Sequence, residues 1–346
     1  MRHLFLLTKY VYLVLATLFI CTETKIAAQT KQDTPKQYNG LNLTLALPKD
    51  HFFRGEIIPA TLTFTNRSNQ TYRIWRQGYD YRSGRLSDTT FHATDGGGQP
   101  LPDPLDWFFR NDYLFHGPRG GIDNLKIKQI TVPANQWLRF DHAGIYTLQV
   151  ISAQVSLGTD SDNPGKPILL VSNTCKISID PCTPELEAIT LAAAKTQIAM
   201  GGSQAHEGVD RIRYLDTPSS RNELILLLED HRPFVLQAKL GLAATSKPSD
   251  IAPLILEALR EGRLQLSIEI IRFYARLKND TSNGSIWSPN NKSTIFNTIS
   301  APDGQEEVIA AAKIGAKGNE AKLAHIAEVL SAHRDGFRGP SQMKQP

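Results

Sequence analysis

Asp106, Trp107, Arg110, Asp112, Tyr113, Phe115 and His116 crowd into one short stretch, where aromatic rings alternate with charges. Exposed, the rings would make a platform for a sugar, a peptide or a partner protein, and the charged groups would add polar contacts. Asp103, Asp106 and Asp112 could also supply the acid and base of glycoside hydrolysis, which needs two carboxyl groups at a set separation. The same aspartates serve equally well as turn formers. The surrounding loop, Gly96 to Asp123, is long for a compact domain and is expected to be functional or structural; its aromatic content argues against disorder. In the structural alternative Trp107, Phe108, Phe109 and Phe115 turn inward to cap the fold or to dock on a neighbouring domain.

Other reactive groups are scattered. His325 and His333 lie eight residues apart with Glu328 between them, whereas paired metal ligands on one helix sit closer. His206-Glu207 and Glu229-Asp230-His231 read as charges at helix ends. The chain holds no nucleophile elbow, no zinc-protease helix motif and no phosphate-cradling glycine loop, so no metal and no cofactor is expected.

The N-terminus reads as an export signal. Arg2, His3 and Lys9 precede the apolar run Tyr10 to Ile20, and Ile26-Ala27-Ala28 offers a small-residue exit, with cleavage near Ala28. Leu18-Phe19-Ile20-Cys21 resembles a lipobox, but Ile20 occupies its small-residue position, so lipid anchoring at Cys21 is not expected. The protein is therefore expected to be secreted or periplasmic, with no membrane span once residues 1–28 are removed. That removal takes Arg2, Lys9, Lys25 and Glu23 and lowers the formal net charge from +4 to +2. So small an excess does not suggest nucleic acid. Cys175 and Cys182 then remain and are expected to form a disulfide in an oxidising compartment. A loop this short would contribute about 2.5 kcal/mol.

The elements that must carry these groups change near residue 180. Before it apolar residues alternate with polar ones, as in Leu41, Leu43, Leu45 and in Ile58, Ala60, Leu62, Phe64; afterwards they recur every three or four. Strands are predicted around 41–47, 58–65, 72–74, 89–94, 125–132, 137–140, 145–155 and 168–179, enough for a two-sheet sandwich. Helices start at Thr183-Pro184-Glu185 and Thr217-Pro218 and continue through Leu224 to Leu228, Phe234 to Ala244, Ile251 to Leu259, Leu264 to Ala275, Val308 to Ile314 and Leu323 to Leu330. The resulting divisions are a signal peptide (1–28), a β domain (38–180), a helical domain (183–336) and a disordered tail (337–346).

Two resemblances refine that outline. The run Gly144-Ile145-Tyr146-Thr147-Leu148, with Arg54-Gly55-Glu56 before an earlier strand, resembles immunoglobulin-like or fibronectin-like sandwiches of secreted bacterial proteins. It implies a tyrosine corner, in which the Tyr146 hydroxyl bonds to nearby backbone. Leu236 to Leu242, followed by Pro248-Ser249-Asp250 and Ile251 to Leu259, resembles paired helices of HEAT-type repeats, which usually offer a groove to another protein. The expected fold is thus an antiparallel Ig-like β-sandwich followed by an all-α HEAT-like array. The expected function is non-catalytic binding or scaffolding toward a protein or polysaccharide partner, with the oligomeric state left open. The alternatives are a secreted hydrolase acting on polysaccharide and a protease-inhibitor-like sandwich that inserts its loop into an enzyme.

Overall fold

Alternating burial builds the first half of the chain. In β1 (Leu41–Ala46) the leucines point inward while Asn42, Thr44 and Ala46 are exposed, and β3 (Pro59–Asn66) buries Ala60, Leu62 and Phe64 in the same rhythm. Together with β7 (Ile127–Pro133) they form a three-stranded antiparallel sheet in the order β1-β3-β7. The computed structural model describes residues 40–75, 83–105, 121–158, 165–229, 234–244, 250–280 and 305–335, with residues 38 and 79.

The second sheet is organised around β8 (Gly144–Leu157), 14 residues long. Its first half pairs with β10 (Cys175–Asp180) and its second with β9 (Pro167–Val171), while β5 (Thr89–Asp95) and then β4 (Tyr72–Trp75) pair along its length. The short strands β2 (His51–Phe53) and β6 (Ile122–Asn124) extend the sheet beyond β10 and β4. All these pairs are antiparallel except β2 with β10. The Tyr146 hydroxyl donates to the His142 carbonyl at 2.7 Å, the bond that the Gly-x-Tyr-x-Leu run implies, and the ring meets Phe140 edge-on.

Two strand expectations need correcting, and two short strands were not foreseen. Residues 137–140 are not a strand: Pro133 ends β7, Ala134–Gln136 form a 3-10 turn, and Trp137 and Leu138 are both buried although adjacent. Trp137 packs on Phe91 and donates its indole N–H to the Thr89 carbonyl at 3.1 Å, so this run fills the core and joins no ladder. The run 168–179 is two strands. Between them the Asn173 side chain bonds both the N–H and the C=O of Leu45, and the Ser172 hydroxyl accepts from the Val150 amide, so side chains replace the ladder there. Strands β2 and β6 carry no clear period of their own.

Beyond Asp180 eight α-helices follow among the described residues: α1 (Pro184–Met200), α2 (Gly202–Leu215), α3 (Pro218–Leu226), α4 (Val235–Ala243), α5 (Ile251–Arg260), α6 (Ile268–Asp280), α7 (Gln305–Gly315) and α8 (Glu320–Asp335). Thr183 caps α1 by accepting from the Leu186 amide. Thr217 and Ser220 form a reciprocal capping box at α3, which satisfies two N-terminal donors. The helices bury a continuous cluster that includes Val209, Ile212, Leu224, Leu240, Ile255 and Ile271. None of the described helices is long and apolar enough to cross a membrane.

The chain from Gly40 onward forms one compact unit, and loops join its two halves. Leu105, arriving from the strand half, is fully buried within the helical cluster. Gly55, in the turn between β2 and β3, adopts φ +89°, and a Cβ there would lie 2.8 Å from the Cα of Leu215 at the end of α2. Only glycine allows both that conformation and that approach.

The expected Cys175–Cys182 bridge is absent, and both thiols are free. Cys175 opens β10, whose five steps of about 3.3 Å carry the chain away from it. The two residues after Asp180 can return at most about 7 Å, which leaves the pair beyond the roughly 7 Å that a disulfide spans. The Cys175 thiol instead faces the Leu45 carbonyl at 3.3 Å.

Candidate functional site

Where the loops of the strand half meet the helices, they leave a cleft of about 400 Å³. One wall is the Arg54-Gly55 turn with Asn135 and the segment Leu138 to His142; the other is the end of α2 from Arg213 to Asp216, with Arg221 and Ala244. Each part is held by identifiable bonds. The Arg54 amide donates to the Asp180 carbonyl at 2.8 Å, and the Asn135 side chain accepts from the Ile58 amide and donates to the Glu56 carbonyl. Asp216 ends α2 in a left-handed conformation at φ 47° and accepts from Arg221, which stands on the capped first turn of α3.

Four arginines line this cleft against two carboxylates. Arg139 bonds Asp141 at 2.7 Å and Arg221 bonds Asp216 at 2.7 Å. Arg54 is exposed at the mouth, and its guanidinium donates to the Asp141 carbonyl at 3.4 Å. Arg213 is different in kind: it is 4% exposed, its stem lies against Gly241 of α4, and its guanidinium sits 5.1 Å from the Tyr214 ring centre. Among the described residues its ion-pair partner is Asp210, 3.7 Å away, and the guanidinium Nε has no hydrogen-bond partner. Burial pushes the Asp210 carboxyl above the ordinary carboxylate range, with Arg213 pulling the other way. The Tyr214 hydroxyl is buried too and makes no well-formed hydrogen bond; burial raises it above the ordinary phenol value.

Asp106, Trp107, Arg110, Asp112, Tyr113, Phe115 and His116 lie outside the described residues, as do residues 1–28 and the tail from 337 on. The root of that loop is described. Pro104 lines the cleft, Leu105 is buried beside it, and Asp103 is held by Arg85 while accepting from the Leu105 amide. Asp103 is therefore a turn former with a fixed ion pair. His325 bonds the Leu266 carbonyl at 3.1 Å, and His206 is exposed with its ring against Phe234. Among the described residues no three His, Cys, Asp or Glu side chains are grouped to hold a metal.

One signal for the cleft was present in the sequence. Ala205, Val209 and Arg213 follow one another at spacings of four, so a charge stands on the apolar stripe of α2. A buried, permanently charged side chain is rare enough to mark a site.

No family profile and no curated protein matches this chain. Similar solved structures include AvmM, which catalyses macrocyclization in alchivemycin A biosynthesis, at 13% identity over 41% of this chain and 90% of that one, TM-score 0.17. Others are the native conformation of E. coli alpha-2-macroglobulin, at 11% identity over 83% of this chain, TM-score 0.21, and a polysaccharide lyase, at 11% identity over 85% of this chain, TM-score 0.16. The chain spans 20% and 40% of the length of these last two.

Proposed function

We propose that this chain is an exported, non-catalytic binding protein, in which an Ig-like sandwich and a HEAT-like helical array together present a recognition surface. The observation that carries this reading is the cleft, assembled from loops of both halves and lined by arginines and carboxylates. Asp141 and Asp216 each accept from an arginine, which fixes both as lining charges suited to positioning a ligand. The Tyr146 corner bond supports the Ig-like reading of the strands. The HEAT-like reading draws on the packing of the helices: those in substantial contact are one or two apart in sequence, as in α2 with α3 and α4, or α5 with α6 and α7. The aromatic run Asp106 to His116 follows in sequence on Pro104, which lines the cleft, and its rings and charges suit contacts to a protein or polysaccharide.

The test uses the chain from Gln29 onward. Panels of peptides and oligosaccharides are titrated against it, with the ligand recovered and weighed by mass spectrometry afterwards. A binder gives saturable association, blocked by Ala244→Trp in the cleft or weakened by Trp107→Ala in the loop, and returns the ligand intact. A cleaved oligosaccharide would replace this reading with the hydrolase. Sequencing the N-terminus of exported protein tests the signal, with cleavage after Ala28 expected.

A further inference from the structure

We infer that the cleft is a seat for an oxyanion, a carboxylate or phosphate group on a small organic ligand, with Arg213 at its floor and Arg54 at its mouth. The inference rests on the binding reading above and names the ligand's chemistry.

Arg213 cannot relieve its burial by losing a proton, since a guanidinium stays charged in proteins. Such a group is normally engaged by a carboxylate or phosphate at hydrogen-bond distance, often through two nitrogens. Here Asp210 stands at 3.7 Å, too far for that bond, and the Nε has no partner although it is sealed from water. The unmet donor belongs to a side chain that lines the cleft. The surroundings agree in sign: of four lining arginines, Arg139 and Arg221 are matched by Asp141 and Asp216 and Arg213 faces Asp210 at 3.7 Å, which leaves Arg54 without a carboxylate partner among the described residues. The stem of Arg213 is also fixed from behind, because a Cβ added to Gly241 would come within 2.9 Å of its Cγ. A preset guanidinium loses little freedom on binding, which favours a small anion over a flexible neutral chain. The cleft volume, about 400 Å³, suits a small molecule.

The probes are citrate and inorganic phosphate, with sodium chloride at matched ionic strength and a neutral disaccharide as controls. Calorimetric titration and thermal melting are read on the chain from Gln29 onward. Citrate or phosphate is expected to bind saturably and raise the melting temperature beyond the chloride control, and whichever binds more tightly assigns the head group. Arg54→Gln, at an exposed position, should weaken binding about tenfold with an unchanged melting temperature of the free protein. Arg213→Lys keeps the charge and loses the fork, and should abolish tight binding; Arg213→Gln should do the same where its circular dichroism shows it folded. Absence of any effect beyond chloride, or binding indifferent to both Arg54→Gln and Arg213→Lys, overturns the oxyanion seat. A neutral ligand blocked by Ala244→Trp would refute the anion and keep the binding cleft. Ala244→Trp that changes binding of no ligand or partner at all would refute both.

Discussion

Arg85 grips Asp103 with both ends of its guanidinium, Nη1 to Oδ2 at 2.8 Å and Nη2 to Oδ1 at 2.6 Å. The same arginine also donates to the Gln136 carbonyl, and the same aspartate accepts from the Leu105 amide, so one pair ties three segments together. Asp103→Ala should lower stability by about 1–2 kcal/mol, because the mostly buried Arg85 would lose its partner while the half-exposed aspartate contributes less. Urea unfolding of Asp103→Ala, Arg85→Met and the double variant would show the coupling as a double-variant loss smaller than the sum.

Leu105 makes a sharper case. It belongs to the strand half by sequence and to the helical core by burial. Leu105→Ala should cost about 2–5 kcal/mol, the usual range for a buried leucine whose cavity cannot collapse. Since this residue helps fasten the halves, its loss should also split a single unfolding transition into two. Differential scanning calorimetry would reveal the second peak; one cooperative peak at unchanged enthalpy would argue that the seam holds without it.

In the helical half, Tyr274 donates to Glu307 at 2.5 Å and Lys278 pairs with the same carboxylate at 3.3 Å. The tyrosine bond, then the lysine bond, hold the Glu307 carboxyl below its ordinary value. Glu269 behaves similarly: burial raises it, yet Lys239 and Arg272 together outweigh that and lower it. A depressed acid gives stability that is fully present above its unfolded pKa, about 4.3, and is lost as pH falls through the folded value. The helices should therefore weaken below about pH 4.3, and Glu307→Gln should flatten the acid limb of a plot of melting temperature against pH. An acid limb identical in Glu307→Gln would exclude the contribution.

The two cysteines should remain thiols in the native protein. Burial pushes both above the ordinary thiol value, so the native chain should alkylate slowly near neutral pH. After unfolding under non-reducing conditions each chain should take up two maleimides. Cys182→Ala should change stability by less than about 0.5 kcal/mol. A crosslinked peptide joining the two cysteines would require β10 to be rebuilt.

The strand and helix grammar was legible because local rules decide it. Leu41 to Leu45 alternate, Thr183 and Thr217 cap, and Tyr146 turns its corner, all within a few residues of sequence. Strand β2 escaped because three residues carry little period and its partner, β10, lies far along the chain. Residues 137–140 misled because an apolar run reads alike whether it joins a ladder or fills a core. The cleft was the least legible feature, since Arg54, Asp141, Arg213 and Arg221 converge from loops and helix ends that only tertiary folding brings together. Arg213 alone left a local trace, as a charge on an apolar stripe.

The seam at Gly55 carries one more consequence. Gly55 rests on Leu215, and Leu138, Phe140 and Leu215 all line the cleft, so buried apolar side chains form part of its wall, whereas Arg54 stands exposed on the turn. Exchanging the exposed Arg54 side chain would recast the mouth while both cores kept their packing. An exposed position on a tightly seated turn is thus open to change without refolding, and descendants of this protein could vary the mouth there.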